Sequence, residues 1–286
     1  ANFMNAPFVN SLGFYTSLGR DSTPTVYDLM LGPHFSISVG AGADFISLPN
    51  TNNLNLPYIS ASSTLSLPAG IPLPYPVINA RLGLFNGFDA GFRYIYLPAV
   101  SVAGVAGNFT GWGLDLRYKL FDGTELPTVT LSTSFDTMSG SFSVNTSNIS
   151  ETGITYTDPN SGNTYNNASF SGTSNYTLNW ITRTVGAKIT VGKSLGILYP
   201  FAGIGFQRNS GTVTSTFGGN FTVNLGGTEP ATSANSPQSS AGSPVVLEPA
   251  FTLGLKLGGG LGFEWLFLGE SNGTDIAGST SLGLLF

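Results

Sequence analysis

The sequence contains no cysteine and only one histidine, His34. The absence of cysteine excludes a disulfide scaffold and thiol chemistry, and a single histidine does not make a metal cluster. Ser36 lies two residues after His34, but no other feature of a catalytic pair accompanies them. We therefore predict no enzymatic activity, no catalytic residue and no metal or other cofactor.

Charge is scarce and long apolar runs are missing. Charged residues make up 9% of the 286 residues, against roughly 25% in soluble domains. The net charge is −5, so no basic surface favours nucleic acid. No apolar run approaches the ~18 residues of a membrane helix. Aromatic residues nevertheless reach 12%, and glycine is abundant at 38 residues.

The stretch Asn108–Phe121, NFTGWGLDLRYKLF, alternates between large apolar residues and small or charged ones. From residue 112 onward every second residue is large and apolar, and glycine and charged residues occupy the positions between. A period of two predicts a β-strand with two unlike faces. Apolar residues on one face, with small and charged residues on the other, are typical of a transmembrane barrel strand. The alternative is an edge strand of a soluble β-sandwich.

Two further alternating runs, 77–85 and 88–97, are separated by Asn86-Gly87. An Asn-Gly pair between alternating runs predicts a tight β-hairpin. The same alternation predicts strands at 35–48, 128–144, 175–193, 198–213, 247–257 and 261–268, and a last strand at the carboxyl end.

Connections of two lengths alternate along the chain. Short turns are predicted near 86–87, 122–126, 194–196 and 258–260, and long polar loops near 49–76, 98–107, 145–173 and 214–244. Residues 57–76 carry five prolines, which predict a loop or an extended edge, because proline cannot donate to a strand ladder. Short turns at one end and long loops at the other are typical of outer-membrane barrels.

The final strand ends in GSTSLGLLF, with Leu282, Leu284 and Phe286 on one face. This ending resembles the closing strand of Gram-negative outer-membrane β-barrels, a porin- or transporter-like class, which typically end in Phe after alternating apolar residues. The resemblance implies that these three residues form a recognition signal for the barrel-insertion machinery. It also implies location in the bacterial outer membrane, in contact with lipid and lipopolysaccharide.

The predicted fold is all-β: a transmembrane antiparallel up-and-down barrel of about ten strands, within a range of eight to fourteen. Residues 34–286 form the barrel, with short periplasmic turns and long extracellular loops. Residues 1–33 are an N-terminal segment, either a plug in the lumen or a first hairpin. The chain begins at Ala1 without a signal-peptide pattern, and we expect it to be the mature form of an exported protein.

If the strand faces are assigned correctly, eleven charged residues line the lumen. They are Arg81, Asp89, Arg93, Asp115, Arg117, Lys119, Asp136, Lys188, Glu248, Lys256 and Glu264. In one interpretation these charges pair across a narrow, filled barrel, since buried charges must be paired. In the other they line a polar passage or a ligand site.

The sequence leads to two functional hypotheses for a barrel. The first is a narrow channel or small-solute uptake protein for an apolar solute. The second is a closed barrel that acts through its extracellular loops, as a structural or surface-interaction protein. A protein partner and an oligomeric state remain open at this stage, and a soluble secreted sandwich, such as an adhesin domain, is a third hypothesis.

Overall fold

The computed structural model describes twelve β-strands. Residues 35–47, 70–84, 87–102, 105–121, 126–158, 161–225, 232–235, 238–242, 245–258, 263–273 and 276–285 are described. The strands are β1 (Phe35–Ser47), β2 (Gly70–Gly83), β3 (Phe88–Val102), β4 (Val105–Phe121), β5 (Thr128–Thr157), β6 (Thr164–Gly192), β7 (Leu198–Asn224), β8 (Thr232–Asn235), β9 (Gln238–Gly242), β10 (Val245–Gly258), β11 (Phe263–Ser271) and β12 (Ile276–Leu285). The predictions for residues 1–33, His34, residues 49–69 and Phe286 lie outside the described residues.

Ten of these strands close into an antiparallel barrel. Each of β1 to β6 pairs with the next strand, β7 pairs with β10, and β10 to β12 continue the meander. The barrel closes where β12 pairs with β1, from Ser36 opposite Leu285 to Asp44 opposite Ala277. The short strands β8 and β9 pair with the distal part of β7 and lie off this ring. The predicted ten-stranded barrel is confirmed.

Tight turns join the strands at the end where short connections were predicted. Gly87 has a φ of 80°, which a glycine adopts readily. The amide of Leu84 donates to the Phe88 carbonyl at 2.8 Å, closing the β2–β3 hairpin. Gly196 has a φ of 74° between Leu195 and Leu198, which exchange hydrogen bonds at the β6–β7 turn.

The two faces of the strands meet different surroundings. In β4, Leu114 is 51% exposed on the outside, whereas the adjacent Asp115 is buried on the inside. The same contrast recurs around the ring, with large exposed side chains such as Phe206 on β7 and Leu253 on β10. A closed ring that turns its apolar side chains outward and its charges inward is built for lipid. The protein is a transmembrane β-barrel of the bacterial outer membrane.

Three strands extend far beyond the length that a bilayer needs. β5, β6 and β7 contain 30, 29 and 27 residues, whereas about 9–11 residues cross a membrane. The prediction of a long polar loop at 145–173 is wrong: β5 and β6 stay paired from Asn145 opposite Asn175 to Thr157 opposite Thr164. At roughly 3.4 Å per residue this hairpin adds about 40 Å to the barrel wall.

Other predicted loops are also largely strand. The connection predicted at 98–107 contains the end of β3 and the start of β4, and residues 214–224 belong to β7. Parts of 232–242 form β8 and β9. The proline-rich stretch enters β2 at Gly70, and residues 70–76 pair with β1. Since the described β2–β3 ladder begins only at Val77, residues 70–76 are an extended edge, one of the two forms predicted.

No helix in the described part of the chain is long and apolar enough to cross a membrane.

Candidate functional site

The lumen contains a network of buried ion pairs, centred on Arg81 of β2. The Arg81 guanidinium donates to Asp89 of β3 and, at 2.6 Å, to the Asp115 carboxylate of β4. Arg117 of β4 approaches the same carboxylate at 3.3 Å. All four side chains are buried. We call this group, Arg81, Asp89, Asp115 and Arg117, the interior charge cluster.

Glycine makes room for this cluster. Gly91 of β3 lies opposite both Arg81 and Asp115 in the strand register. A Cβ atom at residue 91 would overlap the Arg81 guanidinium and the Asp115 carboxylate. The interior therefore has room for the ionic side chains because this backbone position carries no side chain.

A second buried ion pair lies further from the periplasmic turns than the interior charge cluster. Arg93 of β3 donates to Asp136 of β5 at 2.6 Å, and their side chains are 4% and 2% exposed. The strand between them carries Gly113, which faces both residues in register. An ionic contact that spans two strands in this way depends on the small residue at its centre.

The opposite wall has its own polar network. Lys188 of β6 donates to Thr252 of β10 at 2.8 Å and lies 3.8 Å from Glu270 of β11. Nearby, Glu248 of β10 accepts hydrogen bonds from Asn209 at 2.9 Å and Asn272 at 3.2 Å. The buried Glu248 carboxylate is held by several amide groups and Glu270 faces a lysine, as buried charge requires a partner.

The last charged pair lies near the periplasmic turns. Lys256 of β10 and Glu264 of β11 are 3.8 Å apart, and the Lys256 ammonium lies 5.2 Å from the centre of the Tyr199 ring. The Lys256 and Glu264 side chains are 11% and 13% exposed, so this pair is also largely withdrawn from solvent.

The eleven charged residues predicted to line the lumen are thus placed as follows. Nine are buried on the inward side of their strands, and Lys119 and Glu264 are half-buried. The structure also adds a partner that the sequence analysis missed, Glu270, and the amides that hold Glu248. In the described residues, no group of three or more His, Cys, Asp and Glu side chains could hold a metal ion.

Above the ion pairs, toward the extracellular side, the lumen is apolar. Eleven inward side chains from seven barrel strands pack together there, and we call them the interior apolar cluster. They are Tyr75, Val77, Ile95, Leu97, Phe109, Met138, Phe142, Leu178, Trp180, Val213 and Ala277. Phe142 and Trp180 lie 5.0 Å apart between ring centres, and a Cβ on Gly140 would meet the Trp180 ring at 2.5 Å. A smaller apolar group, Phe201, Leu266 and Leu268, lines the opposite wall nearer the periplasm.

Sequence reasoning missed the interior apolar cluster, although its signal was present. The inward parity that contains Arg93 continues to Ile95 and Leu97, and the parity of Asp136 continues to Met138 and Phe142. On β3 and β5 the inward face thus changes from charged to apolar partway along the strand. A search for a single alternation does not register this change: on β3 apolar residues then occupy both faces, and on β5 the apolar residues move to the inward face while Ser139 and Ser141 take the outer one.

Of the three residues predicted to form the insertion signal, the structure describes two. Leu282 and Leu284 of β12 are exposed on the outside of the barrel, at 56% and 50%. They continue the apolar exterior up to the strand that closes the ring. Phe286 lies outside the described residues.

Solved structures with a related outline have very different sequences. The translocator domain of the autotransporter NalP from Neisseria meningitidis is 11% identical, with a TM-score of 0.36, over 99% of this chain and 96% of that one. A FadL homologue of Pseudomonas aeruginosa is 9% identical, with a TM-score of 0.29, over 89% and 90% of the two chains. The toluene transporter TbuX of Ralstonia pickettii is 9% identical, with a TM-score of 0.26, over 89% and 88%. At these scores the likenesses carry no argument about function.

No curated protein matches the sequence significantly. The model of one protein family does match, over residues 39–258, from within β1 to the end of β10. That span includes the interior apolar cluster apart from Ala277, and every buried ion pair except the two that end on β11. The chain belongs to the family of unknown function DUF6588.

Proposed function

We propose that this outer-membrane barrel takes up a small, uncharged, apolar solute, and that it has no enzymatic activity. The observation that carries the proposal is the interior apolar cluster. Lumens of outer-membrane barrels are polar, yet here aromatic and aliphatic side chains turn inward from seven strands. Ligand sites are lined mainly by such side chains, with a few polar groups beside them.

The ion pairs below the cluster argue against a general pore. A ten-stranded barrel encloses little more space than an eight-stranded one, whose interior is just filled by side chains. The interior charge cluster and the Arg93–Asp136 pair occupy that space. An ion crossing the barrel would have to separate these buried pairs, so we expect selection for uncharged solutes.

An uptake assay tests the proposal. The probe is N-phenyl-1-naphthylamine, an uncharged aromatic amine whose fluorescence rises in apolar surroundings, added to Gram-negative host cells that produce the protein. We expect faster uptake than in matched cells without it. Uptake at the same rate in both would refute the proposed function.

Substitutions of two pairs of valines test whether probe uptake depends on the interior apolar cluster. Val77 and Val213 are buried in the interior apolar cluster, whereas Val185 and Val191 are exposed on the outside. The change of both inner valines to threonine places hydroxyls in the apolar site, at a cost of about 1–3 kcal/mol each. We expect uptake to fall at least about fivefold, since 1.4 kcal/mol corresponds to a factor of about ten. The same two changes on the outer valines are the control, and should leave uptake unchanged.

A second function is favoured by the extended hairpin of β5 and β6. Its polar strands, rich in Ser, Thr and Asn, continue the barrel wall outward and present a surface to other molecules. A closed barrel acting through this surface would not accelerate probe uptake. Joining Thr146 to Ser174, which are opposite each other in register, through an Asn-Gly turn would remove the hairpin. If the barrel is an uptake protein, the shortened protein should retain probe uptake.

The exterior implies three further partners. We infer that the exposed apolar side chains contact outer-membrane lipid and lipopolysaccharide, and that β12 is read by the barrel-insertion machinery. Leu282 and Leu284 would be part of that signal. Changing both to serine should lower the amount of folded protein in the outer membrane, whereas the same change at Leu247 and Leu253, exposed on β10, should lower it less.

A further inference from the structure

The barrel wall is incompletely paired at one place, between β2 and β3. Their ladder contains seven residue pairs and ends at Val77 opposite Ile95. Both strands continue beyond that pair: residues 70–76 stay paired with β1, and β3 stays paired with β4 up to Val102. Within the described residues, no strand pairs with residues 96–102 on the side that faces β2. We call this part of the wall the β2–β3 seam.

The sequence accounts for the seam. Residues 72, 74 and 76 of β2 are prolines, and the ladder with β1 runs through all three. Alternate residues of a strand direct their N–H groups to opposite neighbours, so the missing donors are on the side that faces β3. On β3, the ladder with β4 skips Pro98 and Ala99 in a bulge. Prolines and a bulge on facing strands keep the two edges from closing as a ladder.

The side chains along the seam are apolar on its inner side. Tyr75, Val77, Ile95 and Leu97 flank it, and all four belong to the interior apolar cluster. Elsewhere the inward face of the neighbouring strand β1 carries serine, as at Ser36 and Ser38. The seam therefore lies directly against the apolar part of the lumen, away from the interior charge cluster.

A groove lies at the bulge of β3, next to the seam, and is formed by residues of β3, β4 and β5. The groove has a volume of about 310 Å³ and is lined by Tyr96, Leu97, Ala99, Asn108, Phe109, Thr110, Ser139 and Gly140. Leu97 and Phe109 belong also to the interior apolar cluster, so one pair of residues borders both spaces. Tyr94, Tyr96 and Trp112 are exposed nearby, and aromatic residues mark the membrane interfaces of such barrels.

We propose that small apolar molecules pass sideways through the β2–β3 seam, between the interior apolar cluster and the outer-leaflet interface. This inference rests on the proposed uptake function and names the route. An axial route would carry an apolar molecule through buried ion pairs, whereas the inner side of the lateral route is lined by apolar side chains. The seam is also the place where opening breaks no described strand ladder.

Reversible cross-links test the route, because the chain has no cysteine of its own. Pro76 and Tyr96 are the next residues after the last pair, so the double variant Pro76→Cys/Tyr96→Cys can be bridged with a short bis-thiosulfonate reagent. The matched control is Ile78→Cys/Tyr94→Cys, whose residues are already opposite each other in the ladder. Gel mobility reports bridging, and uptake of N-phenyl-1-naphthylamine is measured before bridging, after it, and after addition of a reductant.

We expect bridging at 76 and 96 to slow uptake at least fivefold, reductant to restore it, and bridging at 78 and 94 to change nothing. A second variant, Pro74→Thr/Pro76→Thr, restores two N–H donors on the β3 side and should slow uptake without any reagent. If the wild-type protein accelerates uptake and the bridge at 76 and 96 leaves the rate unchanged, the lateral route is wrong while the uptake function stands. If the wild-type protein does not accelerate uptake, both proposals fail.

Discussion

The Arg93–Asp136 pair offers a direct measure of whether the lumen is packed or wet. The pair joins β3 to β5 at 2.6 Å, and both side chains are nearly inaccessible to solvent. We consider the single variants Arg93→Met and Asp136→Leu, and the double variant. Leucine has the branching of aspartate without its charge, and methionine approximates the length of the arginine stem.

The expected free-energy costs of these variants differ sharply between a packed lumen and a water-filled one. Removing one partner of a buried pair leaves an uncompensated charge and costs about 3–5 kcal/mol, whereas replacing both with apolar residues is often neutral or stabilising by about 1–4 kcal/mol. If water filled the lumen, the pair would behave as an exposed one, worth about 0–1 kcal/mol. We therefore expect each single variant to be much less stable than the double variant.

Equilibrium urea unfolding in lipid vesicles, followed by the fluorescence of the three tryptophans, measures these free energies. Arg208→Met is the control, because Arg208 is exposed on the outside of β7 and should change stability by only about 0–1 kcal/mol. Single variants that each cost less than about 1 kcal/mol, with no recovery in the double variant, would refute the packed lumen and the exclusion of ions derived from it.

Three further predictions concern the exterior, the surface and the pore. Leu116 is exposed on the lipid face of β4, so Leu116→Arg should make refolding into vesicles less favourable by about 2–4 kcal/mol. Full tolerance of this change would contradict the lipid-facing assignment. Protease added to intact cells should cut first at the 158–163 turn, where Gly162 has a φ of 72°, whereas first cleavage at 194–196 would mean an inverted orientation. In planar bilayers the full-length protein should show low or no conductance, and a large, steady open conductance would contradict the filled interior.

The barrel was predictable because its membrane part obeys one rule. Wherever one face meets lipid and the other a charged interior, as at Leu114 and Asp115, apolar and polar residues alternate strictly. The turn at Gly87 was predictable for a different reason, since only a few residue pairs form the tight turn between two such strands. Strand number, closure and the inward positions of Arg81, Asp89 and Arg93 follow from these local signals.

The extensions of β5, β6 and β7 were not predictable by the same rule. Beyond Asn145 most of the described side chains of the hairpin are exposed on both faces, Ala168 apart, so no alternation distinguishes a strand from a loop. The strands persist there because backbone pairing continues from the barrel and because threonine favours extended structure. A Ser-, Thr- and Asn-rich composition therefore predicts a loop even though the register with the neighbouring strand is maintained to Thr157.

Glycine connects the packing of the lumen to the route of a solute. A glycine within a strand costs roughly 0.5–1 kcal/mol relative to alanine, yet Gly91, Gly113 and Gly140 all lie beside large inward side chains. At each position the space left by the missing side chain is already taken, by the interior charge cluster, by Asp136 or by Trp180. The barrel's own side chains thus fill these parts of its interior. A solute can enter only where side chains or strand edges can move apart. Buried ion pairs resist being moved apart most strongly, apolar contacts resist less, and two strand edges that share no ladder resist least. By this reasoning we expect the barrel to open at the interior apolar cluster and the β2–β3 seam, and the ion pairs to hold the rest of the ring closed.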